Sequence, residues 1–138
     1  MRLVVLDTNV IVSAGISRFG PSAKIVAGLV LRGLVQTVVS PSVSAEYREV
    51  VGRAKFHRYG FPPVWLEYLI EESLQLPEPG SLPHACPDPK DAPFLALAQT
   101  SGAWLVTGNL KHFPEAVRNG VTVAAPAEYL ARLDAASL

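Results

Sequence analysis

The sequence predicts an α/β domain in which helices surround a parallel sheet. Two observations indicate this fold class. Short apolar runs without polar alternation, such as Leu3–Leu6 and Trp104–Thr107, are typical of strands that are buried on both faces of a parallel sheet. Longer segments with helical spacing of apolar residues lie between these runs, and strands that alternate with helices form βαβ units with right-handed crossovers.

The first half of the chain carries clear local signals. An apolar stripe at helical spacing predicts a helix over 20–33, and Gly33 is a suitable stop for it. Residues Leu34–Val39 form the second predicted strand. Ser40 and Pro41 predict the start of the next helix, because serine caps helix N-termini and proline suits the first turn.

The second half continues the alternation. A helix is predicted over Pro63–Leu74, and a stiff, proline-rich connector lies between Pro77 and Pro93. The helix that follows, over Asp91–Thr100, ends at Gly102. The remaining predicted elements are a third strand, a fourth strand and a last helix, at Trp104–Thr107, Val121–Ala124 and Pro126–Leu133. We expect residues 1–138 to form a single domain.

Composition narrows the classes of function. Apolar residues make up 49% of the 138 residues, enough for one sizeable core. The 12 basic and 12 acidic residues balance, which argues against disorder and against a binder that holds nucleic acid by bulk charge. Cys86 is the single cysteine, which excludes a disulfide within the chain. Without a long apolar stretch or a signal peptide, we expect a cytoplasmic protein that does not enter membranes.

Polar residues gather where the predicted strands end. Asp7 follows the first strand, Glu46 lies in the helix after the second strand, and Asp91 begins the helix that leads into the third. Thr107 and Asn109 follow the third strand. Because ligands of parallel α/β folds bind outside the carboxyl ends of the strands, we expect these side chains to share one edge of the sheet.

Each of these residues also has an ordinary structural explanation. Asp7 can cap the first helix, and Asp91 stands at a helix N-terminus whether Asp88 or Asp91 itself is the cap. Glu46 can lie on the exposed flank of its helix, and the polar residues after the third strand can belong to a turn.

Three carboxylates at one edge of a sheet favour a bound cation. Carboxylates about 4 Å apart repel by about 4 kcal/mol at an effective dielectric constant of about 20. In the segments expected to reach this edge, the basic residues are Lys90 and Lys111. Oxygen ligands favour Mg²⁺ or Mn²⁺ over zinc. His84 and Cys86 are of zinc-ligand type but have no further partners nearby in the sequence, so no zinc site is predicted there.

In order and spacing, these motifs resemble a PIN domain. They are Val4–Val10, the glutamate of the helix after the second strand, Asp88–Asp91 before an apolar helix, and Leu105–Asn109 before His112–Pro114. The resemblance extends over nearly the whole chain and is closest to small stand-alone PIN proteins of the VapC type, the toxins of toxin–antitoxin pairs. It implies a three-layer α/β/α sandwich with a central parallel sheet. It also implies an Mg²⁺- or Mn²⁺-dependent endoribonuclease with RNA as substrate, an antitoxin protein as partner, and a homodimer.

The resemblance assigns roles residue by residue. The family's acidic set falls on Asp7, Glu46 and Asp91, with Asn109 in the fourth place, as both metal ligands and catalytic residues. Many relatives have aspartate in that fourth place and another acid three residues later, where this chain has His112. An amide oxygen can still ligate but adds no charge. Supporting roles fall on Asn9, Thr107 and Asp88.

Basic and aromatic residues are concentrated shortly after Glu46, a combination that suits phosphate contact and base stacking. The alternative is a solvated helix end where cations are favoured by the helix dipole. The candidates for RNA binding in this segment are Arg48, Arg53, Lys55 and Arg58, interleaved with Phe56, His57 and Tyr59. His112, near Asn109, is a further candidate.

Rival functions fit the sequence less well. A nucleotide- or flavin-binding module would need a glycine-rich loop after the first strand, where Asp7–Val10 contains no glycine. A haloacid-dehalogenase-like phosphatase would need a second aspartate at the position of Asn9. The remaining alternative is a PIN fold that binds RNA or a protein without cutting, since Asn109 reduces the acidic set.

Overall fold

The computed structural model describes residues 2–80 and 86–137. Its centre is a sheet in which every strand pair is parallel. The strands are β1 (Arg2–Leu6), β2 (Val35–Val39), β3 (Leu74–Gln75), β4 (Trp104–Val106) and β5 (Val123–Ala124). Their spatial order is β3-β2-β1-β4-β5.

Helices cover both faces of this sheet. They are α1 (Thr8–Ile16), α2 (Pro21–Ile25), α3 (Pro41–Val51), α4 (Leu66–Glu72), α5 (Ala92–Ser101), α6 (Glu115–Arg118) and α7 (Pro126–Ser137). Successive side chains of a strand point to opposite faces, and Val4, Val5 and Leu6 of the central strand are all fully buried. The predicted three-layer α/β/α architecture is therefore confirmed. Among the residues described, no helix combines the length and apolar character needed to cross a membrane.

Local signals placed α3 and α5 correctly. Ser40 caps α3, where its side chain accepts a hydrogen bond from the Val43 backbone nitrogen at 3.4 Å. Val43 and Tyr47 are buried on the inner face of α3, whereas Val50 is half-buried. Gly102 ends α5 in the left-handed conformation, with φ of 74°.

Two predicted helices differ from the structure. The helix expected over 20–33 is a short α-helix that widens into a π-helical turn over Val26–Val30, and the chain then turns at Gly33 (φ 76°). The helix expected over Pro63–Leu74 begins at Leu66 and ends at Glu72. Leu74–Gln75 instead pairs with β2 as edge strand β3, which was not predicted because two residues are too few to show a period.

The proline-rich connector is only partly described. Residues 81–85, which include Pro83 and His84 of that prediction, lie outside the described part of the chain. Beyond them Cys86 is buried, and a one-turn helix over Pro89–Asp91 leads into α5.

The order of the strands positions the site. β1 lies between β2 and β4, and the direction of chain progression across the sheet reverses between β1 and β4. Such a switch point is where open parallel sheets bind ligands. Leu6 pairs with Val106, so that Asp7 and Thr107 emerge side by side at the carboxyl ends of the two strands.

Candidate active site

Asp7 is held by neighbours from both strand ends. Its Oδ1 accepts a hydrogen bond from the Thr8 backbone nitrogen at 2.7 Å, which makes Asp7 the N-cap of α1. Its Oδ2 accepts hydrogen bonds from Thr107 Oγ1 at 2.8 Å and Asn9 Nδ2 at 3.2 Å. Burial raises the pKa of Asp7, and these hydrogen bonds oppose that rise. Asp7 therefore caps helix α1 and at the same time belongs to the candidate site.

The loop after β4 is fastened to the loop after β1. The Gly108 backbone nitrogen donates to Asn9 Oδ1 at 2.8 Å, and the Asn109 backbone nitrogen donates to Thr107 Oγ1 at 3.0 Å. A Cβ atom at Gly108 would lie only 3.1 Å from Asn9 Oδ1, so glycine allows this close approach. Asn9 and Thr107 together fix the orientation of the Asp7 carboxylate.

Glu46 approaches Asp7 from helix α3. It is half-buried, and its Oε2 accepts a hydrogen bond from Thr8 Oγ1. Burial raises the pKa of Glu46, and the negative charge of Asp7 adds to the rise. Thr8 was not among the predicted site residues, because its contact with Glu46 depends on the packing of α1 against α3 and leaves no local sequence signal.

Asp91 enters the site from the N-terminus of α5. The capping bond there belongs to Asp88, whose Oδ1 accepts from the Lys90 backbone nitrogen at 3.0 Å, while Asp91 makes no capping bond. Asp91 is 8% exposed. Burial, followed by repulsion from Asp7, raises its pKa to about 6.

One carboxylate oxygen of Asp91 lies beside the imidazole of His112. Asp91 Oδ2 lies 3.0 Å from His112 Nδ1, an ion pair when the ring is protonated. Within the part of the chain that the structure describes, this buried oxygen has no hydrogen-bond partner. His112 Nε2 in turn lies 2.8 Å from Asn109 Nδ2, and Asn109 is outside the lining of the cleft that contains the three acids. Asn109 therefore contacts the site through His112.

The three acids line one open cleft with a volume of about 530 Å³. Another part of the lining is apolar and comes from α1, α3 and the 3-10 helix Ala54–Tyr59, namely Val12, Ile16, Val50 and Phe56. The cations in the lining are Arg53 and Lys90. The sequence predicted Lys90 and Lys111 at this edge. Lys90 lines the cleft, Lys111 does not, and Arg53 lines it although it was not predicted there.

The basic segment after Glu46 divides into residues at the cleft and residues away from it. Arg53 lines the cleft and also pairs with Glu49 at 2.8 Å. Arg48 is exposed and pairs instead with Glu67 of α4 at 2.8 Å, outside the cleft lining. Lys55 and Arg58 lie over the neighbouring rings of Phe56 and Tyr59, 5.1 and 4.8 Å from the ring centroids.

The residues fit a hard divalent cation by their chemistry. The cleft offers carboxylate oxygens, and burial raises the pKa values of Asp7, Glu46 and Asp91, so a cation among them would favour their charged forms. Asp91 Oδ2 makes no hydrogen bond within the described residues. The carboxylates are not preassembled, because no group of three or more His, Cys, Asp or Glu side chains among the described residues is close enough to hold a metal ion.

A model of the PIN domain family matches residues 3–111, which is most of the chain. The chain belongs to the PIN domain family. This PIN domain carries its three acids at the carboxyl edge of the sheet, in the order of the motifs that suggested the family. No curated protein matches the chain in sequence.

Solved structures show the same fold at low sequence identity. A structure of VapBC2 from Rickettsia felis, bound to a DNA fragment from its promoter, aligns with a TM-score of 0.59 at 18% identity, covering 89% of this chain and 98% of the other. A structure of FitAcB from Neisseria gonorrhoeae aligns with a TM-score of 0.56 at 20% identity, covering 90% of this chain and 98% of the other. A domain of a functionally unknown protein from Methanocaldococcus jannaschii aligns with a TM-score of 0.55 at 19% identity, covering 89% of each chain.

Proposed function

We propose that this PIN domain is an Mg²⁺- or Mn²⁺-dependent endoribonuclease that acts as the toxin of a toxin–antitoxin pair. The observation that carries the proposal is the meeting of Asp7, Glu46 and Asp91 in one cleft at the switch point of the sheet. Membership of the PIN family supports nuclease chemistry, and the likeness in fold to VapBC2 and FitAcB supports the toxin assignment.

The metal would be held by Asp7 and Asp91, with Glu46 completing the carboxylate set. Asn109 lies outside the cleft lining and would reach the metal only by a movement of its loop. A divalent ion in this cleft supplies an acidified water for attack on a phosphodiester and positive charge for the phosphate. Asp91 Oδ2 makes no hydrogen bond within the described residues and would bind such an ion once the His112 imidazole, whose Nδ1 lies 3.0 Å away, has moved aside.

The protein groups supply orientation and proton transfer. Thr107 and Asn9 keep the Asp7 carboxylate fixed, so that it does not rotate when charge enters the cleft. Glu46 would accept a proton from the attacking water, because burial, with a smaller contribution from Asp7, raises its pKa and so makes its carboxylate a stronger base.

The substrate would lie across the cleft between its acidic and apolar parts. Arg53 and Lys90 would contact phosphates, and the Phe56 ring, which lines the same cleft, would contact an unpaired base. Arg48 is engaged with Glu67 outside the cleft and contributes little to this surface.

Neutralising the two cleft cations should therefore weaken RNA binding. In an Arg53→Gln, Lys90→Gln variant we expect the slope of log affinity against log salt to fall by about 1.4, since each phosphate contact on a single strand contributes about 0.7. Binding is measured by fluorescence anisotropy in EDTA, which prevents cleavage. Arg48→Gln is the matched control. An equal loss in Arg48→Gln would show that the whole basic segment, rather than the cleft, holds RNA.

A metal titration tests the enzymatic assignment. We expect calorimetry to detect Mn²⁺ binding at millimolar ion or below, and we expect the protein to cleave a mixed RNA pool with Mn²⁺ but not with EDTA. The second candidate function, a PIN domain that binds RNA or protein without cutting, is favoured by the asparagine at position 109 and its contact with His112. Absence of Mn²⁺ binding, with RNA binding retained, would establish that second function.

The toxin assignment carries further proposals. An antitoxin protein is the expected partner, and we place the protein in the cytoplasm, where its RNA substrate is. Homodimer formation would use the apolar surface around α4, where Val64 is 97% and Tyr68 is 53% exposed.

A further inference from the structure

A second cavity lies at the opposite end of the sheet from the carboxylate cleft. It has a volume of about 300 Å³ and is bounded by the starts of β1 and β4 and by helix α7. Arg2 lines this cavity, whereas Leu6, four residues later in β1, leads into the catalytic edge. The strand between them spans about 13 Å, so the two sites are separate.

The cavity contains a buried hydroxyl without a partner. Tyr129 of α7 lines the cavity and is 2% exposed, with its ring edge-on to Trp104 at 5.7 Å between centroids. Its hydroxyl oxygen has no hydrogen-bond partner within the described residues. Buried hydroxyls in folded proteins are nearly always paired, so this one is suited to contact a bound molecule.

Two arginines face the same cavity. The Arg132 guanidinium lies 5.2 Å from the centroid of the Trp104 ring, and Arg2 is close enough to Tyr129 to lower the pKa of its hydroxyl, against the larger effect of burial. Neither arginine forms an ion pair with a carboxylate in the part of the chain that is described, and none of the described lining residues is acidic. The described part of the lining therefore carries a net positive charge.

The rest of the lining is apolar. Leu3, Trp104 and Leu133 are partly buried against the core and contribute the hydrophobic part of the wall. The volume of about 300 Å³ is at the lower end for ligand pockets, which restricts a ligand to about the size of one ring system with its substituent.

We propose that this cavity binds a small organic oxyanion, a phosphate monoester or a carboxylate carried on an apolar ring. The guanidinium groups of Arg2 and Arg132 hold the oxyanion, as arginines do for both phosphates and carboxylates. The ring of the ligand packs on the apolar wall. The Tyr129 hydroxyl donates a hydrogen bond to the ligand, either at a substituent of the ring or at the anionic group. This site is independent of the proposed nuclease activity.

Calorimetry with four probes tests the proposal in EDTA, so that no metal is available to the catalytic cleft. Phenyl phosphate and benzoate carry both features, inorganic phosphate lacks the ring, and phenol lacks the charge. We expect phenyl phosphate, benzoate or both to bind at least about tenfold more tightly than inorganic phosphate and phenol, and their ratio identifies the preferred anionic group. Equal affinity for phenol would exclude recognition of the charge, and equal affinity for inorganic phosphate would exclude recognition of the ring.

Variants locate the binding. Arg132→Gln should weaken binding of the preferred probe about tenfold, because it removes a charged hydrogen-bond donor. Tyr129→Phe, which removes one oxygen atom and keeps the packing, should weaken it several-fold. Arg53→Gln, in the other cleft, should leave it unchanged, and thermal unfolding confirms that each variant is folded. Unchanged affinity in both Arg132→Gln and Tyr129→Phe, or a loss confined to Arg53→Gln, would overturn the assignment.

Discussion

Replacing Asp7 with asparagine should abolish metal-dependent RNA cleavage and leave the fold intact. The asparagine removes the negative charge at the position where strands β1 and β4 meet, and so removes a ligand of the proposed metal. Because a metal contributes several kcal/mol to stabilisation of the transition state, we expect the cleavage rate to fall on the order of 10³-fold or more. A single-turnover assay on a defined RNA at saturating Mn²⁺ measures this loss.

The fold should tolerate the Asp7→Asn substitution for two reasons. Asparagine is as good an N-cap as aspartate, so the bond from the Thr8 backbone nitrogen can be kept. Burial of the Asp7 charge is also unfavourable, as its raised pKa shows. We therefore expect an unfolding temperature equal to or above that of the wild type. Asp134→Asn, at an exposed position of α7 outside the cleft lining, is the matched control and should retain activity. Full activity in Asp7→Asn would refute the assignment of the cleft as catalytic.

The metal-free protein should lose stability as the pH rises from about 4 to about 6. The folded-state pKa of Asp91 is raised from 3.8 to about 6, so in this window the folded protein binds a proton that the unfolded chain has released. The stabilisation from that proton is fully present below the unfolded pKa and is lost as the pH passes through the folded one. The pKa values of Asp7 and Glu46 are also raised in the folded protein, so these two groups contribute to the same trend.

Comparison with an Asp91→Asn variant isolates this effect from the other titrating groups. The wild type should become less stable relative to the variant between about pH 4 and about pH 6 in EDTA, measured as the free energy of unfolding in urea. Mn²⁺ should reverse the trend in the wild type and raise its unfolding temperature more at about pH 7 than at about pH 5, because the metal binds deprotonated carboxylates. Parallel curves for the two proteins in EDTA would contradict the raised pKa of Asp91.

The contact between His112 and Asp91 bears on the departure from the family pattern. Where many relatives carry acids, this chain places Asn109 and His112, and the structure puts the imidazole 3.0 Å from Asp91 Oδ2. The imidazole lowers the pKa of Asp91, against the larger effects of burial and of the Asp7 charge. The site therefore has less acidic character than three acids alone would produce, which is why the metal titration is decisive between the two proposed functions.

The sequence by itself determined the fold class and most of the elements. The apolar run of β1, the Ser40 cap of α3 and the Gly102 stop of α5 are local signals, because each depends on residues that are neighbours along the chain. The position of Asp7 at a strand end also followed from the sequence, since parallel strands bring their carboxyl ends to one edge.

Only the tertiary structure decided which side chains meet. Edge strand β3 exists because β2 provides it with hydrogen-bond partners, and its two residues carry no periodicity of their own. The hydrogen bond between Thr8 and Glu46, the entry of Arg53 into the cleft, and the ion pair of Arg48 with Glu67 all join separate elements. Such contacts depend on how helices pack on the sheet, and packing is not encoded in the spacing of residues within one element.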